Sequence, residues 1–239
     1  MTFDGVEAVC LDLDDTLVDA RGAWHAGFAE VTSTLWAELP ALADLGSPGE
    51  VYDGPLRALM NAAQARRFSS EWSYELVHEA FREFFAEIAG LTPTESDALA
   101  EAYRLAWPRY VELYPEVPRV LEALHGCYPL GLISNGLIED QQQKIDAMAL
   151  GDYFDVCVIS EEVGMTKPAP EIFECALSAL GVQPSAAIYV GDNPHHDVVG
   201  ARGVGMRAVW LNRPGNRFDA QVEVDAEIAD LDGLLELLN

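Results

Sequence analysis

Five short apolar runs set the first constraint on this chain: residues 8–13, 129–134, 155–160, 186–191 and 206–212. None shows a sustained alternation of apolar and polar residues. Each therefore reads as a strand covered on both faces, the habit of parallel sheets. Helical patterns separate the later runs. Residues 116–125 close at Gly126, residues 138–150 close at Gly151, and residues 168–180 open on prolines and close at Gly181. A last helix is expected over 231–238. Strands alternating with helices predict an α/β fold with a doubly wound parallel sheet.

The stretch 18–113 breaks this rhythm and shows no strand pattern. Trp72, Leu76, Ala80, Phe81, Phe84, Phe85 and Ile88 fall on one helical stripe that ends at Gly90. Thr92-Pro93-Thr94-Glu95 reads as a capping box opening a helix that stops before Pro108. Earlier helices are expected over 22–39 and 56–68, with Gly46-Ser47-Pro48-Gly49 as the loop between them. The expected organisation is a core formed by 1–17 and 114–239, interrupted by an all-helical domain over 18–113.

Composition narrows the function classes. The net charge is −26, which argues against a nucleic acid or an anionic membrane as partner. Apolar runs fall short of the about 20 residues that a membrane span needs. The start lacks the basic residues of a secretory signal, so a cytoplasmic location is expected. Cys10, Cys127, Cys157 and Cys175 form no C-x-x-C pair, and neither a disulfide framework nor a zinc site is expected. Cys10 and Cys157 read as small core residues. The sequence leaves the oligomeric state open between monomer and homodimer.

In parallel α/β sheets, ligands gather at the carboxyl ends of the strands. Here those ends carry polar groups. Asp12, Asp14, Asp15 and Thr16 follow the first run. Ser134, Asn135 and Gly136 follow the second, and Asp192, Asn193 and Asp197 follow the fourth. Lys167 precedes a helix after the third run. Two carboxylates one residue apart share a site only if the chain turns just after the strand. With Asp192 they could then hold a divalent cation, and a small set of hard oxygen ligands suits Mg²⁺. Ser134 and the following N–H groups suit phosphate oxygens at a helix start. The chain has only two lysines, Lys144 and Lys167, so Lys167 stands out as a compact cation where arginine is the rule.

These segments resemble the four motifs of the haloacid dehalogenase superfamily. Asp12-Leu13-Asp14-Asp15-Thr16-Leu17 is similar to the first, and Leu132-Ile133-Ser134-Asn135-Gly136 to the second. Lys167-Pro168-Ala169-Pro170 resembles the third, and the segment Val190 to Asp197 the fourth. All four occur in order and frame nearly the whole chain. The helical insert resembles the first cap type of that superfamily, placed on a Rossmann-like core.

The resemblance implies a phosphatase working through an aspartyl-phosphate. Asp12 would be the nucleophile and Asp14 the general acid and base. Mg²⁺ would be held by Asp12, the main-chain carbonyl of Asp14, and Asp192. Thr16, Ser134, Asn135 and Lys167 would bind the phosphoryl group, with Asn193 and Asp197 supporting the metal site from behind. The expected partner is a small phosphorylated metabolite, such as a sugar phosphate or a nucleoside monophosphate. Trp24 and His25 are candidates for the substrate pocket, set against a plain role in the core of the insert.

Other readings remain beside this one. An L-2-haloacid dehalogenase would share fold and nucleophile but would lack the second aspartate, since halide leaves without a proton. A sugar phosphomutase and a non-catalytic module on the same scaffold are further alternatives. A phosphorylation-receiver domain is too compact to contain the insert. Asp residues commonly cap helices and shape turns, and His195 and His196 read as loop residues rather than as metal ligands.

Overall fold

The computed structural model describes residues 2–66, 74–214 and 222–238. The expected stripe residue Trp72, and the end of the helix expected over 56–68, lie outside the described residues. The chain divides into two compact units, Met1–Asp19 with Leu113–Asn239, and Ala20–Glu112.

The first unit is built on a six-stranded parallel sheet. The strands are β1 (Ala8–Leu11), β2 (Leu130–Ser134), β3 (Val156–Ile159), β4 (Ala187–Gly191), β5 (Arg207–Leu211) and β6 (Ala226–Ile228), in spatial order β3-β2-β1-β4-β5-β6. β1 lies between β2 and β4, with Val9 opposite Leu130 on one side and Ile188 on the other. Every residue of β1, β2 and β4 is buried, as non-alternating apolar strands require when both faces are covered. The chain order reverses at β1, where β2 lies on one side and β4 on the other. Ligands in this fold class gather beyond the strand ends at such a switch point.

Helices fill the intervals between strands. Val117–Leu124, Ile138–Ala147, Pro170–Leu180 and Asp232–Leu238 fall within the spans expected from periodicity. The second ends earlier than its pattern suggests, because Ala149 turns left-handed before a short 3-10 turn at Leu150–Asp152. Ile172, Phe173, Ala176 and Leu177 of the third helix join Cys10, Ile133 and Tyr189 of the sheet in one buried cluster.

Two expectations fail in this unit. Cys157 is exposed rather than a core residue, because β3 is an edge strand whose first two residues are not buried. β6 has no counterpart among the five apolar runs, since a three-residue edge strand containing Glu227 leaves almost no pattern to read.

The second unit is helical throughout its named elements. The long helices are Ala20–Glu38, Arg57–Arg66, Tyr74–Ala89 and Pro93–Ala106. The Pro93–Ala106 helix opens on the expected capping box. Thr92 Oγ1 accepts from the Glu95 N–H, and the Glu95 carboxylate accepts from the Thr92 N–H. The segment 46–49 is not a plain loop. Ser47 and Glu50 form a second capping box that starts a short helix at Pro48–Val51. The S-x-x-E signature was present in the sequence but was hidden by the flanking glycines.

Aromatic rings fill the core of the helical unit. Phe28 is fully buried and lies 5.5 Å from Tyr52 and 5.8 Å from Phe81 between ring centroids. Tyr52 and Tyr103 are buried with their hydroxyls 2.6 Å apart, so neither polar tip is left without a partner. No helix among the described residues is long and apolar enough to cross a membrane.

Candidate active site

The segment after β1 supplies the first group of polar side chains. β1 ends at Leu11, and the Asp12 N–H still donates to the Val190 carbonyl of β4 at 2.9 Å. The chain then turns tightly. Asp15 adopts φ 57°, and its N–H donates to the Val18 carbonyl at 2.8 Å. Aspartate tolerates this left-handed conformation better than most residues. The turn lets Asp12 and Asp14 sit in the same polar region despite their one-residue spacing.

Asp12 is buried, and Lys167 Nζ donates to its Oδ1 at 2.6 Å. The same ammonium lies 2.8 Å from Asp197 Oδ1 and donates to Tyr189 Oη at 2.9 Å. Tyr189 Oη is also within 3.1 Å of the Ile133 carbonyl and 3.2 Å of Asp197 Oδ1, the two acceptors for its single proton. Asp197 Oδ2 accepts from the Asn193 N–H at 2.9 Å. Asn193 Oδ1 in turn accepts from the N–H groups of His195 and His196, which shapes the turn at Pro194–Val198. Gly191 is required by contact: a Cβ there would lie 2.3 Å from the Asp197 carboxyl.

Asp12, Asp192 and Asp197 offer carboxylate oxygens that all lie within 4.8 Å of one another. One ammonium, Lys167, serves this group. Burial pushes the Asp12 carboxyl up to about 7; the adjacent Lys167 charge opposes the shift, and Asp197 and Asp14 add to it. Burial also raises Asp192 well above the ordinary carboxylate range, with Asp197, Asp12 and Asp15 adding to the effect. Burial alone would lower the Lys167 pKa, but Asp12 and Asp197 hold it above its ordinary value, so the ammonium stays charged. The cluster gathers three carboxylates within one small space. Its donors are all hard oxygens, which fit a divalent cation of the Mg²⁺ or Ca²⁺ type better than a soft metal.

The structure places the other expected residues as follows. Ser134 is buried and its Oγ accepts from Gln141 Nε2 at 2.8 Å. The Asn135 side chain is committed to the Lys167 backbone, accepting from its N–H at 2.7 Å and donating to its carbonyl at 3.1 Å. It therefore ties the second segment to the third. The Gly136 N–H donates to Ser160 Oγ at 2.9 Å. Thr16 is fully buried, its carbonyl accepts from Arg213 at 2.8 Å, and its hydroxyl has no hydrogen-bond partner among the described residues. The Asp14 carboxylate accepts from Lys144 Nζ and Gln141 Nε2, and its charge lies near enough to add to the upward shift of Asp12. Trp24 and His25 belong to the helical unit. His25 Nε2 lies 3.0 Å from Asp53 Oδ2, and Arg57 stacks 5.3 Å from the Trp24 ring centroid.

Residues 6–205 match the family described as haloacid dehalogenase-like hydrolase. The chain belongs to that family. A phosphoserine phosphatase from Thermus thermophilus is 40% identical, over 95% of this chain and 96% of its own length. An N-acylneuraminate-9-phosphatase from Rattus norvegicus is 30% identical, over 90% of this chain and 86% of its own length. Among solved structures, a 2-haloacid dehalogenase from Pseudomonas syringae pv. Tomato is 30% identical, covers 97% of both chains and superposes with a TM-score of 0.67.

Three residues beyond the family motifs reach these clusters without having been expected from the sequence. Tyr189 sits inside β4, and its signal was a tyrosine in an otherwise apolar buried strand, where the hydroxyl needs a partner. Gln141 and Lys144 lie on the helix that follows the second motif. Their signal was polarity on the buried side of an amphipathic helix, and Lys144 was already notable as one of two lysines.

Proposed function

We infer that the chain is a divalent-metal-dependent phosphomonoesterase that acts on a small phosphorylated metabolite through an aspartyl-phosphate. The observation that carries this reading is Asp12: a buried carboxylate with Oδ1 pinned by Lys167, beside Asp192 and Asp197. The similarity to enzymes named as phosphatases supports it.

In the first step Asp12 attacks phosphorus, the bond from phosphorus to the leaving oxygen breaks, and Asp14 gives that oxygen a proton. In the second step Asp14 takes a proton from water as the water attacks phosphorus. The acyl–phosphate link breaks, Asp12 returns as a carboxylate and phosphate departs. Lys167 restrains Asp12 and offers charge to the phosphoryl oxygens, and Ser134 offers a hydroxyl. The buried Thr16 hydroxyl is a further polar atom in the first motif. Asp12, Asp192 and the Asp14 main-chain carbonyl would hold Mg²⁺, with Asp197 as a further carboxylate of the group already bonded to Lys167 and the Asn193 N–H. When bound, the ion neutralises charge between the anionic nucleophile and the phosphate dianion.

A haloacid dehalogenase reading is favoured by the likeness to that solved structure. Asp14 stands against it, because halide needs no proton from a second carboxylate. Trp24 and His25 remain our candidates for substrate selection in the helical unit. A cytoplasmic location fits four free cysteines, which a reducing compartment preserves.

Phosphate release is the test, measured on p-nitrophenyl phosphate and on a panel of phosphoserine, sugar phosphates and nucleoside monophosphates, with and without Mg²⁺. Turnover that needs the metal and disappears in Asp12→Asn supports the reading. Halide release from 2-chloropropionate, with no phosphate release anywhere on the panel, overturns it.

A further inference from the structure

Both lysines of this chain are buried, and each grips one aspartate of the first motif. Lys167 holds Asp12, and Lys144 holds Asp14 with Nζ 2.6 Å from Oδ1 and 2.8 Å from Oδ2. Lys144 Nζ also donates to Gln141 Oε1 at 2.8 Å. Gln141 and Lys144 are three residues apart on the Ile138–Ala147 helix and so share one face of it. Gln141 Nε2 donates within reach of Asp14 Oδ2 at 3.2 Å, Ser134 Oγ at 2.8 Å and the Asn135 carbonyl at 2.8 Å. A Cβ on Gly136 would lie 2.6 Å from that nitrogen, so glycine leaves the room this amide occupies.

We propose that Lys144 and Gln141 are positioning residues for Asp14, fixing its carboxylate for proton exchange with the leaving oxygen and then with water. The inference rests on the phosphatase reading above. A carboxylate on a turn has two free side-chain torsions, and proton transfer needs it within about 3 Å of the reacting oxygen. A two-point grip from a buried ammonium removes most of that freedom. Burying an ammonium is costly unless it is paired and hydrogen-bonded, and Lys144 is bonded to both Asp14 carboxylate oxygens and to Gln141 Oε1. Gln141 joins the same grip to Ser134, so the proton-transfer group and the phosphate-binding hydroxyl are set by one helix.

The role makes a selective demand. A nitrophenolate leaves without a proton, whereas an alkoxide does not. In Lys144→Met, kcat/KM on an alkyl phosphate is expected to fall about 100-fold, and kcat/KM on p-nitrophenyl phosphate to stay within about threefold. Water attack still needs Asp14, so the variant should show a burst of nitrophenolate as phosphoenzyme accumulates. Gln141→Met should show the same pattern with a smaller loss. Circular dichroism and the melting temperature establish that each variant is folded. If Lys144→Met fails to fold, Lys144→Arg replaces it, since it keeps the charge but alters the reach, and it should show the same selective loss in weaker form. Equal losses on both esters, or none on either, overturn the proposal. The alkyl phosphate is the best substrate of the panel above; wild-type protein that releases phosphate from no member of that panel and releases halide from 2-chloropropionate overturns the phosphatase reading itself, and the inference falls with it.

Discussion

Gly191, the last residue of β4, lies so close to Asp197 that a single added methyl would meet its carboxyl group at 2.3 Å. A contact that short forces the backbone or Asp197 to move. Asp197 is bonded to Lys167, Tyr189 and the Asn193 N–H, so its displacement spreads through the site. Gly191→Ala is expected to lower stability by about 1–3 kcal/mol, as overpacking does elsewhere. It should also cut turnover sharply and weaken Mg²⁺ dependence of the rate. Thermal melting and a metal titration of activity check this; wild-type metal affinity in the variant would sink it.

Tyr189 tests the support of Lys167. Its hydroxyl accepts from the Lys167 ammonium and gives the buried cluster a third contact beside Asp12 and Asp197. Tyr189→Phe keeps the ring against Phe173, whose centroid is 5.2 Å away, and removes only the hydroxyl. Groups that orient ligating or catalytic residues from behind commonly contribute 10–100-fold. The expectation is a fall of roughly tenfold in kcat with the fold intact. Unchanged steady-state kinetics would show that Lys167 is held by its carboxylates alone.

The sheet was legible because its central strands are buried on both faces, which leaves apolar runs without alternation. β6 was not, since three residues at an edge carry no period. The helix at Pro48–Val51 is obscured in the sequence by Gly46 and Gly49, which read as loop, although Ser47 and Glu50 spell out its cap. Among the candidate residues, Asp12, Lys167 and Asp197 stand in direct contact through one ammonium, and their motifs were visible as polar groups at strand ends. Asn135 illustrates the limit. Its place after β2 suggests phosphate binding through the backbone N–H; its side chain bonds the Lys167 backbone as well, and no spacing rule predicts that contact across 32 residues. Tyr189, Gln141 and Lys144 were hidden for the same reason: each is local to an ordinary strand or helix and gains meaning only from its partners across the sheet.

Phe28 tests the core of the helical unit. It is fully buried and touches the rings of Trp36, Tyr52 and Phe81. Truncation to alanine removes apolar contact and leaves a cavity among rings that cannot easily collapse. Phe28→Ala is expected to cost about 3–5 kcal/mol. Chemical denaturation should show a lowered midpoint with little change in slope. A cost under about 1 kcal/mol would mean that neighbouring rings refill the space.

The acidic cluster predicts how a metal and pH act together. Burial raises Asp12 from an ordinary value of 3.8 to about 7 and moves Asp192 in the same direction. For a carboxyl raised in the folded state, the stabilising contribution is complete below the unfolded pKa. It is lost as pH climbs from there through about 7, because the folded protein then contains ionised carboxylates at a cost. A divalent cation binds the ionised form and competes with protons for it. Millimolar Mg²⁺ should therefore raise the melting temperature clearly at about pH 8 and much less at about pH 5.5. In Asp192→Asn the Mg²⁺-dependent rise at the higher pH should shrink, while the metal-free protein melts higher than wild type there, since one unfavourable charge is gone. Scanning calorimetry at both pH values, with and without the metal, decides it. An Mg²⁺ effect of equal size at the two pH values would separate metal binding from these carboxylates.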